Sequence, residues 1–195
     1  MKIFDNSLYS LIEWIINIFV LNLLIILTSI PLITIFPSLS AAFSVVRNWK
    51  LHRDPSVLRA YFQYFKLNLK QDFLMHIIWF AVAFILYLNY FYLSQDQSTM
   101  GTIMRVPIII LTLLFIGMTS HLLAITAHYQ LELKEKMKLA FTLTVTNART
   151  LILLLTNIAL LIGFFIFPLL FLILFSSGVY INFSICHEIY LKMKK

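Results

Sequence analysis

Cysteine is nearly absent from this chain of 195 residues, glycine is scarce and acidic residues are few. A single cysteine, Cys186, excludes an internal disulfide, a paired redox motif and a thiolate metal cluster. Only four glycines leave no material for a glycine-rich phosphate loop. Charged residues make up 12% of the chain against roughly 25% in soluble proteins. That deficit excludes an ordinary soluble enzyme and a disordered chain alike.

What replaces charge is apolar surface. Hydrophobic residues reach 61%, more than the interior of so small a sphere can hide. Part of the solvent must therefore be lipid, and the chain reads as an all-α integral membrane protein, a single membrane domain over residues 1–195. Apolar stretches at about 14–36, 73–93 and 103–127 are each long enough to cross some 30 Å of hydrocarbon. The stretch 151–191 is twice as long as one crossing needs, so it folds back. The turn falls either near Pro168 or at Ser176-Ser177-Gly178, giving spans 151–167 or 151–175 and 169–191 or 178–191. Five crossings result. At the N-terminus, Lys2 is offset by Asp5 and Glu13, and the apolar run is too long for a secretory signal.

The chain carries 15 basic residues against 8 acidic ones. In a soluble protein this excess would point to nucleic acid; beside a bilayer it marks the cytoplasmic face and anionic headgroups. With five crossings, every cation except Lys2 and Arg105 falls on one side. The positive-inside rule then predicts a multi-pass cell-membrane protein with its N-terminus outside and its C-terminus in the cytoplasm. Arg105, just before Pro107, is expected to snorkel to the outer headgroups.

Two basic loops carry a helical period. Over residues 57–70, Arg59, Gln63, Lys66 and Lys70 fall within an arc of about 60°, opposite Leu58, Tyr61, Phe62, Phe65 and Leu69. This reads as an interfacial helix, entered after a turn at Asp54-Pro55. A second such helix is expected over 134–150, where Lys138, Phe141, Asn147 and Arg149 repeat Arg59, Phe62, Asn68 and Lys70 at an offset of 79. Asn68 and Asn147 both point away from the cationic arc, so each amide needs a partner on the apolar side. The recurrence has two readings. It is an internal duplication of the kind found in transporters, or the common look of any interfacial helix before a crossing.

The first span is interrupted by Pro31 and Pro37, and the following stretch Ser38–Lys50 forms a short helix with Ser40 and Ser44 on one close-packing face. The break is either a kink at the inner interface or a cavity-lining break at membrane depth. The elements Asn22-Leu23-Leu24, Pro31-Leu32-Ile33-Thr34-Ile35-Phe36-Pro37, Ser40-Ala41-Ala42 and Phe65-Lys66-Leu67-Asn68-Leu69-Lys70-Gln71 resemble the YesL-like family, bacterial membrane proteins of unknown function. That family usually has glycine where Phe36 stands. The resemblance implies a multi-span protein associated with carbohydrate uptake or polysaccharide utilisation. It brings no catalytic residues.

Polar residues within the spans offer little chemistry. Glu13 and Asn17 share a face near Trp14, where a solvated headgroup anchor accounts for Glu13. His76, His121, His128, His187 and Glu188 lack the spacing of a metal site. No serine carries a nucleophile signature. The expected function is therefore non-enzymatic, without cofactor or metal. The candidate contacts to a partner, anionic lipid or transporter subunits are Asn22, Arg59, Lys66, Asn68, Lys70, Lys138, Asn147 and Arg149. The alternative is a small solute carrier or channel with Asn22, Asn68 and Asn147 along its path.

Overall fold

A computed structural model describes residues 2–52, 56–166 and 171–193. The described residues form α-helices and one short 3-10 turn, with no strand among them. The α-helices are α1 (Lys2–Thr28), α2 (Ile35–His52), α3 (Leu58–Gln71), α4 (Phe73–Gln95), α5 (Thr99–His128), α6 (Leu133–Thr146), α7 (Arg149–Ile166) and α8 (Phe171–Met193). The all-helical class expected from composition is what the chain adopts.

Three of these segments are long and apolar enough to cross a membrane: Leu11–Thr28, Phe73–Gln95 and Thr99–His128. A fourth exists if α6 and α7, bent by 94° at their junction, count as one broken span or re-entrant loop. Five crossings were expected. The polar residues Asn182, Ser184, His187 and Glu188 dilute the second half of α8.

The first expected span, 14–36, does not run through. α1 stops at Thr28, a 3-10 turn covers Leu32–Thr34, and α2 starts at Ile35 with Pro37 in its first turn, where a missing N–H costs nothing. The Thr28 hydroxyl bonds back to the Leu24 carbonyl at 2.8 Å, and Thr34 Oγ1 donates to the Thr28 carbonyl at 2.5 Å. α2 then becomes the centre of the molecule. Ser38, Ser40, Ala41, Ala42, Ser44, Val45 and Val46 are all buried, so the small residues do let neighbouring helices approach closely.

α2 and α5 run side by side in the same direction. Phe36 and Phe115 both pack against Trp79, with centroids at 5.2 and 5.6 Å, and farther along the Arg47 guanidinium donates to the Ala127 carbonyl. Phe36 and Phe115 differ by the same offset of 79 that relates the basic loops. Each of the two helices is followed by a shorter helix, α3 or α6, packed on it. The likeness ends at the asparagines. Asn68 lies inside α3, whereas Asn147 ends α6.

The expected helix 134–150 is therefore two helices. Asn147 leaves α6 with an extended backbone, and its Oδ1 accepts the Arg149 N–H at 3.0 Å, capping the start of α7. The reversal within 151–191 also resolves. Ser176, Ser177 and Gly178 lie inside α8 rather than in a turn, and both serine hydroxyls bond back to carbonyls three residues earlier. Gly178 is small because Leu160 leans on it: an added Cβ would stand 2.6 Å from Leu160 Cδ1. α7 ends at Ile166 and α8 starts at Phe171, and Pro168 lies outside the described residues, as do Asp54 and Pro55. Asn157 meets Asn182 and Gly163 meets Leu174, which makes α7 and α8 an antiparallel hairpin.

α1 also runs against α8. Trp14 packs on Tyr180 at 5.9 Å, while Asn22 reaches the backbone of Phe175 and Ser176. The start of α1 and the finish of α8 thus lie toward the same end of that pair.

Candidate functional site

The polar side chains gather where α2, α3, α5 and α6 meet. Three buried links hold this junction. Asn68, 5% exposed, donates from Nδ2 to Ser40 Oγ at 2.9 Å. Tyr61 OH lies 2.6 Å from Thr28 Oγ1 and 2.8 Å from Ser38 Oγ, tying α3 to the α1–α2 break. Burial raises the Tyr61 phenol above its ordinary pKa, against the pull of Ser38 and Thr28, so it stays a neutral donor. The third link is ionic. Lys136 Nζ meets both carboxylate oxygens of Asp72, at 2.7 and 2.8 Å, with side chains 6% and 9% exposed. Lys136 is thus no surface cation, although its place in a basic loop reads as one. The signal that could have found it is its register: it leads Ala140 and Leu143 on the buried face of α6.

The sequence-derived candidates divide cleanly. Asn22 is fully buried, and its Oδ1 accepts the backbone N–H groups of Phe175 and Ser176 at 3.1 and 3.2 Å, near the start of α8. Asn68 is a helix-to-helix bond and Asn147 a helix cap. Asn68 and Asn147 line separate pockets. Arg149 Nη1 pairs with Glu188 Oε2 at 2.7 Å. Arg59, Lys66, Lys70 and Lys138 are exposed. On α3 they share the surface with exposed Leu58, Phe62 and Leu67, and on α6 Lys138 does so with exposed Phe141. At the far end of α4 and α5, the Arg105 guanidinium donates to the Leu93 carbonyl at 3.0 Å and to the Asp96 carbonyl. It closes the α4–α5 turn.

Sequence reading missed the cavities between helices, two of them of about 480 Å³ each. A cavity of about 480 Å³ opens between α2, α4, α5, α7 and α8, walled by residues such as Phe43, Trp79, Phe115, Leu160 and Val179. Its polar patch is small. Asn157 and Asn182 bond to each other at 3.1 Å, and Asn157 donates to Ser120 Oγ at 3.1 Å. Such a void forms between five helices far apart in sequence, so no local pattern announces it. Among the described residues no group of three His, Cys, Asp or Glu side chains is placed to hold a metal ion.

Comparison with known proteins adds a resemblance but no activity. A family model described as a protein of unknown function, DUF624, matches residues 18–90, the stretch that holds α2, α3, Tyr61 and Asn68. The chain is 22% identical over 179 residues to the uncharacterized protein YesL of Bacillus subtilis (strain 168), covering 89% of this chain and 84% of that protein. No solved structure matches it.

Proposed function

We propose that this YesL-like chain is a non-enzymatic accessory of the bacterial cell membrane, docking a transporter subunit involved in carbohydrate uptake through its cation-bearing surface. The observation that carries the proposal is the division of polar groups just described. The amides that would line a transport path are spent on structure, Asn22 and Asn68 on helix-to-helix bonds and Asn147 on a helix cap. The cations Arg59, Lys66, Lys70 and Lys138 are left at the surface beside exposed Leu58, Phe62, Leu67 and Phe141. A helix that exposes both kinds of side chain suits the boundary between acyl chains and water, its cations near anionic headgroups. That surface would face the cytoplasm by the positive-inside rule, with the C-terminus on the same side.

Affinity capture from detergent-solubilised membranes tests this. A sugar-transporter subunit should be recovered with the wild type and lost from Arg59→Glu/Lys66→Glu/Lys70→Glu, which still inserts. Recovery of no transporter subunit in repeated captures would refute the docking role.

The rival reading, a small solute carrier or channel built on the repeat, draws support from the 480 Å³ cavity. Its walls are apolar, however, and a sugar inside would leave most hydroxyls unbonded. Proteoliposome flux separates the two. A saturable sugar flux abolished by Asn68→Leu would favour the carrier.

A further inference from the structure

The cavity between α2, α4, α5, α7 and α8 has no part in the docking role. Its volume, about 480 Å³, lies in the range of small-molecule sites, roughly 300–1,000 Å³. Among the described residues, none of the side chains walling it is charged. It sits at the depth of the apolar spans, because Trp79 and Phe115 of its wall belong to Phe73–Gln95 and Thr99–His128. The wall residues that are exposed, Leu161, Phe165 and Phe175, are all apolar, so the mouth opens through an apolar surface. What fills this cavity comes from lipid and not from water.

The polar side chains of the wall are Trp79, Thr119, Ser120, Asn157 and Asn182, and their donors are all spent. Trp79 Nε1 donates to Thr119 Oγ1 at 2.9 Å, and Thr119 in turn donates to the Phe115 carbonyl at 2.7 Å. Ser120 Oγ donates to the Ile116 carbonyl at 3.2 Å. Asn157 Nδ2 donates to the Leu153 carbonyl at 2.8 Å and to Ser120 Oγ at 3.1 Å. Asn182 Nδ2 donates to the Gly178 carbonyl at 3.0 Å and to Asn157 Oδ1 at 3.1 Å. A carboxamide oxygen has two lone pairs, so what the Asn157–Asn182 pair has left is acceptor capacity. A phosphate would bring a charge that no wall cation meets. A hydroxyl brings the donor that the pair lacks. Asn157 precedes Phe165 by eight residues on α7, about 12 Å at 1.5 Å per residue, so the polar patch lies well inside the apolar mouth.

We infer that the cavity binds a long-chain alcohol, a neutral lipid whose hydroxyl donates to the Asn157–Asn182 pair. Its hydrocarbon chain lies along the apolar walls and leaves past Leu161, Phe165 and Phe175 toward the bilayer. The site shares no residue with the cationic surface of α3 and α6, and it stands whether or not that surface docks a transporter subunit.

The test uses full-length protein in phosphatidylcholine nanodiscs, labelled with hexadecanol that carries a photoactivatable diazirine in its chain, the labelled peptides being read by mass spectrometry. Labelling should concentrate on α7 and α8 around Leu161 and Phe175. Unlabelled hexadecanol should compete about tenfold better than hexadecyl methyl ether, which lacks the donor; that is the scale of one hydrogen bond. Hexadecyl phosphate should compete no better than the ether. Val179→Phe, which puts a ring into the cavity, should abolish the labelling, whereas Leu155→Ala, exposed and outside the cavity wall, should leave it unchanged. Asn157→Leu/Asn182→Leu should keep the labelling and lose the preference for the alcohol. Equal competition by the three compounds, or a preference for the ether or the phosphate, overturns the inference, as does labelling that survives Val179→Phe. Should either variant fail to insert, the wild-type competition decides alone.

Discussion

At the scale of single residues, the junction depends on polar groups whose loss leaves a partner stranded. In Lys136→Met the Asp72 carboxylate, 9% exposed, loses its counter-ion. Breaking one side of a buried pair costs about 3–5 kcal/mol, whereas replacing both costs far less. Thermal unfolding in detergent should therefore show Lys136→Met strongly destabilised and Asp72→Asn/Lys136→Met largely recovered. Asn68→Leu strands the Ser40 hydroxyl instead and should cost about 1–3 kcal/mol by the same measurement. Asp96 offers a pH test away from the bilayer core. Its carboxylate accepts the Ser98 N–H at 2.9 Å, and hydrogen bonds from Ser98, then the Arg105 charge, hold it below the ordinary aspartate pKa. A depressed folded value means its contribution is present above the unfolded pKa and fades as pH falls through the folded one. Carboxyl NMR titration should show Asp96 ionised below the usual aspartate midpoint, and Asp96→Asn should remove that pH dependence.

At the scale of elements, breaks and turns matter more than helix interiors. Asn147 was legible as an amide in need of a partner, but the pattern placed it inside a helix. Its side chain found the backbone two residues on and made a cap, which is the competing local bond that asparagine always offers. Asn147→Ala should weaken the start of α7 by about 0.5–2 kcal/mol, seen as faster amide exchange at Arg149 and Thr150. The α4–α5 turn is built just as tightly. A Cβ on Gly101 would stand 2.8 Å from the Asp96 carbonyl oxygen, a backbone atom that cannot swing aside. Gly101→Ala should therefore cost about 1–3 kcal/mol, measured against wild type by thermal midpoint.

At the scale of the whole molecule, α2 decides the architecture. A short helix of small residues at the centre lets α1, α3, α5 and α8 all approach it, and its return from the Pro31 break reverses the chain. The pairing of α1 with α8 then predicts that the two termini share a side. Single cysteines at Lys2 and Lys195 in a Cys186→Ser background should react alike with a membrane-impermeant thiol reagent. Labelling of one from outside intact cells and the other only after lysis would contradict that pairing.

Composition and hydropathy by themselves settled the helical class, the approximate places of α3, α4 and α5, and which face of α3 carries charge, because these depend on local periodicity. Only the tertiary structure decided that α1 ends before the prolines, that Lys136 is buried, that Asn22 and Asn68 hold helices together, and where cavities open between helices. Those outcomes turn on which distant side chains share one small volume, and spacing along a chain carries no record of that.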